Sequence, residues 1–196
     1  MTRKMSTLVV GAALDDAIAG FNPTERIKGK QIIRVHPQGQ KDSQTPTKAQ
    51  SMPLRKDVKG FGMPWEDQYG YAQAVRVDDT IYVSGQLSHD GQGNMVGAAP
   101  LDDSGKIRDH SNMEIQMRQT YANAKKILSE FGATLDDVVE EVLYVTDMDT
   151  AFAAAGPLRK EAYGSQRPEV ASTIVVTPRL ALPTQLIEIK FVAKVR

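Results

Sequence analysis

The 196 residues are enough for one hydrophobic core with an appended segment, and 41% of them are hydrophobic and 24% charged, as in ordinary soluble proteins. The formal net charge is zero, so no overall electrostatic attraction to nucleic acid or to a membrane is expected. The absence of cysteine excludes disulfides, thiol nucleophiles and thiolate metal sites, and three histidines argue against a structural zinc site. No apolar run approaches the roughly 20 residues of a membrane-spanning helix.

Residues 1–60 differ in composition from the rest of the chain. They hold 11 Lys and Arg against 5 Asp and Glu, whereas residues 61–196 hold 13 against 19. Residues 36–51 are rich in Gln, Lys, Ser, Thr and Pro, which is typical of a linker. We therefore divide the chain into a basic N-terminal extension, residues 1–60, and a folded domain, residues 61–196.

The extension has too few apolar residues for a core of its own, so we expect it to pack on its own subunit or on a neighbour. Its apolar run Leu8–Leu14 is short and ends at Asp15 and Asp16. This pattern does not favour a secretory signal, and a cytoplasmic location is expected.

Residues 61–71 are dense in aromatic residues and glycine, and they include Trp65, the only Trp. Such a segment is either a loop that caps the core or the wall of an apolar pocket. Ala72–Val77 and Thr80–Ser84 then predict a β-hairpin around two Asp residues. The second strand runs into Gly85, and a glycine there suits a bulge or the close approach of a ligand.

The polar loop from His89 to His110 is longer than most connections, which favours a functional or interface loop. Ser111 is the predicted N-cap of a helix that runs to about Phe131, with Glu114 completing a capping box. Ile115 belongs to the helix face that is expected to meet the core.

The remaining elements alternate between strands and helices. Val138–Val145 predicts a strand, Asp149–Tyr163 a helix, and the β-branched runs Ser172–Thr177 and Gln185–Val195 two further strands. This order predicts an α+β fold in which two helices pack on one face of a mixed sheet.

The last strand alternates clearly. One face is apolar and should meet the helices; it consists of Ile187, Ile189, Phe191 and Ala193. Glu188 lies on the other face with Leu186. A carboxylate there either lines a site, where it acts as a general acid or base or orients a water, or is a surface group paired with Lys190 or Lys194.

Six segments of residues 61–196 carry a resemblance to a known family. They are Gly70–Val75, Tyr82–Gln86, Gln116–Leu128, Gly132–Val139, Val145–Asp149 and Leu186–Ile189. In order and spacing they closely resemble the Rid family, also named YjgF or L-PSP. The resemblance implies a chorismate-mutase-like fold and a homotrimer in which the sheets line a central barrel and three clefts lie between subunits. The best-known members hydrolyse enamines and imines of amino acids to 2-oxo acids and ammonia, without a cofactor.

The resemblance also implies which residues meet in the cleft. They are Tyr71, Ser84, Gly85 and Glu188. Active deaminases of the family bind the substrate carboxylate with an Arg just before the Ser or Thr that opens the penultimate strand. Here Ala171 takes that place, before Ser172, and Gly156 stands where an Asn is usual.

The sequence therefore predicts a hydrolase of small imines, enamines or related C–N compounds. The predicted site consists of Glu188 as the catalytic residue and Tyr71, Ser84, Gly85, Trp65 and Ser172 as substrate-binding residues. No cofactor, metal or membrane is expected, and the partners are a small-molecule ligand and the other copies in a homotrimer. Because Ala171 cannot bind a carboxylate, the substrate should differ from 2-aminoacrylate.

Two other functions remain open. The first is a non-catalytic trimer that binds a metabolite in the same cleft. The second, endoribonuclease activity, rests on the naming of family members, and the acidic balance of residues 61–196 argues against it.

Overall fold

The computed structural model describes residues 53–196. Residues 1–52 of the N-terminal extension lie outside the described residues. The six strands are β1 Asp57–Lys59, β2 Ala74–Val77, β3 Thr80–Gln86, β4 Val138–Val145, β5 Ala171–Val176 and β6 Ile187–Lys194. The helices are α1 Pro64–Tyr69, α2 Met113–Ser129 and α3 Met148–Tyr163, with a 3₁₀ turn at Leu135–Asp137.

The strands form one mixed sheet in the order β1-β2-β3-β6-β4-β5. Only β4 and β5 are parallel, and α3 is the crossover that parallel pairing requires. The last strand in sequence, β6, lies between β3 and β4 in the middle of the sheet. The mixed α+β architecture predicted from the sequence is confirmed.

The helices α2 and α3 pack on one face of this sheet. Four side chains of β6 on that face are fully buried: Ile187, Ile189, Phe191 and Ala193. The ring of Tyr121 in α2 lies 6.0 Å from the ring of Phe191, centroid to centroid. Full burial stabilises the fold by about 1.5–3 kcal/mol for each large apolar side chain, so this face holds the sheet to the helices.

The opposite face of the sheet is called the open face below, because no described helix packs against it. One row of its side chains crosses all six strands in register: Val58, Val75, Tyr82, Val192, Glu140 and Ala171. Several apolar groups there are exposed, with Val58 at 54% and Tyr82 at 51%. Residues 53–196 therefore present an apolar surface that no other part of this described segment covers.

Three local predictions are wrong. The N-cap of α2 is Asn112, not Ser111. The Ser111 hydroxyl donates to the Asp109 carboxylate at 2.6 Å, so the predicted capping box does not form. Ile115 is 48% exposed, since it lies on the solvent side of the first turn. Leu186 precedes β6 and is fully buried, and its backbone N–H donates to Gln116 of α2 at 2.8 Å.

Two elements were not predicted. The strand β1 lies inside the segment assigned to the extension, yet it pairs with β2 and forms one edge of the sheet. The aromatic segment contains a short helix, α1, with Pro64 at its first position and Gly70 left-handed at its end (φ 67°). Within residues 53–196, no helix has the length and apolar character needed to cross a membrane.

Candidate functional site

Glu188 projects from the centre of the sheet onto the open face. The neighbouring strand β3 has a register shift between Val83 and Gln86, and Gly85 lies inside it. A Cβ atom on Gly85 would lie only 2.5 Å from the carboxyl carbon of Glu188. The carboxyl group therefore rests directly on the Gly85 backbone, and any larger residue would displace it.

The carboxylate of Glu188 has one hydrogen-bond partner among the described residues. The Gln185 side-chain amide donates to its Oε2 at 3.1 Å, while Oε1 accepts no hydrogen bond from residues 53–196. On the other side, Tyr144 of β4 is the register partner of Glu188. Neither Lys190 nor Lys194 forms an ion pair with Glu188 in the described chain. Lys194 instead pairs with Asp79, with 3.0 Å between Nζ and Oδ1. Glu188 thus keeps one oxygen for a ligand or water.

Tyr71 follows α1 and lies within electrostatic range of Glu188. Burial is the main cause that raises the pKa of the Tyr71 phenol. A hydrogen bond from Gln73 lowers this pKa, and the charges of Glu66 and Glu188 raise it. The hydroxyl therefore stays protonated at neutral pH and can donate a hydrogen bond. The ring is 37% exposed, so a ligand can reach it.

Ser84 immediately precedes Gly85 and is half-buried. Its hydroxyl donates to the backbone carbonyl of Ala72 at 2.7 Å, which ties the end of β3 to the segment before β2. A ligand can use only the acceptor lone pairs of this hydroxyl while the bond persists.

Trp65 packs against the long loop that was singled out in the sequence. Its ring meets the His89 ring edge-on at 5.3 Å, and the Phe61 ring lies 5.4 Å from the same histidine. A Cβ atom on Gly93 would lie 2.7 Å from the Trp65 ring, so this loop closes tightly on the indole. Within residues 53–196 the buried indole N–H makes no hydrogen bond of ordinary geometry, although it lies near enough to the Tyr71 hydroxyl to lower the pKa of that phenol. A pocket that Trp65 or Phe61 shares with Glu188 stays a prediction.

The structure does not bring Ser172 to the other candidates. Its register partner is Glu141, which is fully buried on the helix face of the sheet. The Ser172 hydroxyl accepts a hydrogen bond from the guanidinium of Arg159 in α3 at 2.7 Å. Ser172 therefore lies on the helix face, and Ala171, the neighbour before it, lies on the open face with Glu188.

Several neighbours of the site were not found from the sequence. They are the buried glutamines Gln73 and Gln86, Gln185 and Tyr144. Strand alternation places Tyr144 on one face of β4, but only the register with β6 places it beside Glu188. Nothing in the local pattern indicates that Gln185 turns back to the carboxylate.

The arrangement suits proton transfer and hydrogen bonding. Across residues 53–196, no group of three His, Asp or Glu side chains is placed to hold a metal ion. The site offers a carboxylate with one free oxygen, a neutral phenol and a glycine backbone. Such groups can hold a water, accept its proton and donate a hydrogen bond to an electron-rich atom.

Comparison with known proteins identifies relatives of this chain. The family model described as endoribonuclease L-PSP matches residues 66–195. A 3-aminoacrylate deaminase, RutC, of Acinetobacter baylyi is 29% identical over 125 residues, which are 64% of this chain and 86% of that protein. A 2-iminobutanoate/2-iminopropanoate deaminase of Dermatophagoides farinae is 28% identical over 98 residues, covering 50% of this chain and 66% of that protein.

The fold is also similar to that of a solved structure. The crystal structure of a YjgF/YER057c/UK114 family member from Mycobacterium tuberculosis superposes with a TM-score of 0.53 at 28% identity. The match covers 72% of this chain and all of that one.

Proposed function

The chain belongs to the endoribonuclease L-PSP family, the family of the Rid and YjgF proteins, and on this premise we propose that it is a hydrolase that releases ammonia from a small imine or enamine. Two relatives are named as deaminases of such compounds. The observation that carries the proposal is the Glu188 carboxylate, which rests on Gly85, has no described ion-pair partner and leaves Oε1 unbound.

The chemistry follows from this arrangement. A water held by Oε1 of Glu188 adds to the carbon of the C=N bond, and its proton passes through the carboxylate to the nitrogen. The carboxylate then carries the hydroxyl proton of the resulting carbinolamine to the amino nitrogen, the C–N bond breaks, ammonia leaves and a C=O bond forms. Tyr71 supports the reaction as a hydrogen-bond donor. General acid–base catalysis of this kind accelerates a reaction by about 10²- to 10⁴-fold.

Ala171 defines the substrate more narrowly. It lies on the open face, four residues along β5 from Val175, which is level with Glu188 through Tyr144. Its methyl group offers no charge to a carboxylate. We therefore propose a substrate that carries no carboxylate at this position, and hence low activity on 2-aminoacrylate.

The site is proposed to be completed by a neighbouring subunit in a homotrimer. The exposed valines and Tyr82 of the open face support this, because apolar patches of this kind mark interfaces. A cleft between subunits would surround Glu188, which faces out of the single chain.

A non-catalytic trimer that binds a metabolite is the second candidate. Ala171 favours it, because the charged group that binds the substrate in active relatives is missing here. The same carboxylate and phenol would then hold a ligand without turning it over.

Ammonia release by the full-length protein tests the proposal. The panel holds carboxylate-free imines, made in situ by oxidation of primary amines, together with the carboxylates 2-iminobutanoate, 3-aminoacrylate and 2-aminoacrylate, the last of which is the enamine tautomer of 2-iminopropanoate. We expect acceleration of at least one imine or enamine, little on 2-aminoacrylate, and a gain on 2-aminoacrylate in Ala171→Arg. No acceleration with any compound would overturn the hydrolase proposal, and calorimetric binding of the carbonyl products of these compounds would then support the metabolite-binding trimer.

A further inference from the structure

Two buried glutamines connect the end of β3 to Tyr71. Gln73 is 2% exposed and Gln86 is 1% exposed. Gln86 Nε2 donates to the Ser84 carbonyl at 3.0 Å and to Gln73 Oε1 at 2.9 Å. Gln73 Nε2 donates to Glu66 Oε1 at 3.1 Å and lies 3.4 Å from the Tyr71 hydroxyl. Buried amides of this kind require an explanation.

The two ends of this network fix the orientation of both amides. A backbone carbonyl can only accept, so Gln86 must turn its NH₂ group toward Ser84. Its second N–H then points at Gln73, which must present its oxygen there. The NH₂ group of Gln73 is therefore directed at Glu66 and at Tyr71. Gln86 keeps this orientation although its own Oε1 is left without a partner among the described residues.

Glu66 fixes the far end of the network. Its carboxylate accepts from the backbone N–H groups of Phe61 at 2.9 Å and Gly62 at 3.2 Å. A Cβ atom on Gly60 would collide with this carboxylate, so the chain closes around it. An ionised carboxylate can only accept, which agrees with the orientation set from Ser84.

The consequence falls on Tyr71. Because its oxygen faces an N–H donor of Gln73, its own proton must point elsewhere, and the charge of Glu188 is near enough to raise the pKa of the phenol. We propose that Gln73 is a positioning residue that holds the Tyr71 hydroxyl as a hydrogen-bond donor toward the ligand beside Glu188. This inference rests on the proposed function, and it specifies that the ligand atom facing Tyr71 is an acceptor, such as an imine nitrogen with a free lone pair.

A purely structural role for Gln73 makes different predictions. If the amides only join β3 to α1, then loss of Gln73 lowers stability and lowers activity to the same degree whether or not Tyr71 has a hydroxyl. A positioning role requires the effect of Gln73 on turnover to vanish when that hydroxyl is removed.

A double-mutant cycle separates the two roles, with kcat/KM for ammonia release as the readout. We expect Tyr71→Phe to lower it by about 10- to 100-fold and Gln73→Met by about tenfold, as for one hydrogen bond. The double variant should be no slower than Tyr71→Phe alone. The control is Gln68→Met, on the exposed side of α1, which should leave kcat/KM unchanged. Multiplying effects of the two substitutions would overturn the inference.

A second readout does not need turnover. In the unliganded protein, the ¹³Cζ resonance of Tyr71 should shift in Gln73→Met and its pKa should rise, because the hydrogen bond from Gln73 that lowers it is gone. Gln68→Met should show neither change. An unchanged Tyr71 resonance overturns the inference even in an active enzyme, whereas a shifted resonance without turnover of any imine overturns the proposed function alone. If Gln73→Met does not fold, Gln73→Leu replaces it, since leucine also removes the donor to Tyr71 and adds no charge beside Glu66.

Discussion

At the scale of the residue, the site depends on the missing side chain of Gly85. A Cβ atom there would lie 2.5 Å from the carboxyl carbon of Glu188, so Gly85→Ala must push the carboxylate aside. We expect kcat/KM to fall by at least about tenfold, because a misplaced catalytic group costs about this much or more. Assays of ammonia release measure kcat/KM, and thermal melting shows whether the variant stays folded.

The matched control is Gly91→Ala, where a Cβ atom would meet nothing within 4 Å. It should retain both activity and melting temperature. Full activity in Gly85→Ala would show that the position of the Glu188 carboxylate does not matter.

Local pattern identified only some of these residues. Strand alternation alone selects Glu188, and the end of a strand selects Gly85. The face of Ser172 could not be predicted, because it depends on the register of β5 against Glu141 and on the guanidinium of Arg159. Tyr144 was missed for the same reason, because the sequence of a single strand does not determine its register against a neighbouring strand.

At the scale of the element, one buried ion pair holds α3 to β4. The Glu141 side chain is fully buried and accepts hydrogen bonds from Tyr121 at 3.1 Å and Tyr163 at 3.2 Å, and it pairs with Arg159. Burial, followed by the charge of Glu141, raises the pKa of both phenols, so they remain donors. Removing Arg159 would leave an uncompensated buried charge.

We therefore expect Arg159→Leu to lower the free energy of unfolding by about 3–5 kcal/mol, measured in denaturant at one fixed protein concentration. The control is Arg118→Leu, whose pair with Glu161 is exposed on both sides and should contribute less than about 1 kcal/mol. Equal losses in the two variants would refute the importance of burial for this pair.

The longer elements were predicted well and the short ones were not. The strand Val138–Val145 matches β4, and α3 begins one residue before its predicted start. Their periodic apolar patterns are long enough to determine the type of element. The three-residue β1 and the six-residue α1 are too short for such a pattern, and the aromatic and glycine content of residues 61–71 is typical of a loop.

At the scale of the whole molecule, the open face predicts assembly. Tyr82 lies in the row of side chains that crosses the sheet, and it is 51% exposed in the single chain. We expect sedimentation of the natural protein at three times the chain mass, and dissociation of Tyr82→Lys because a charge would be buried in an apolar interface. Tyr69→Lys is the control, since Tyr69 lies on α1 and is 72% exposed. A stable monomer of the natural protein at micromolar concentration would contradict the trimer.

The overall fold followed from the sequence because its motifs resemble one family across residues 61–196. The substrate did not, because Ala171 stands where the resemblance implies an Arg that binds the substrate carboxylate. The chain retains Glu188, and the proposed hydrolysis depends on its carboxylate.

The most direct test compares kcat/KM for imine or enamine hydrolysis in the natural protein and in Glu188→Gln. Glutamine keeps the size of the side chain and can still accept from Gln185, but it cannot take a proton from water. Proton transfer by Glu188 predicts a loss of at least about 100-fold, with assembly and melting temperature unchanged. Turnover in Glu188→Gln equal to that of the natural protein would contradict it.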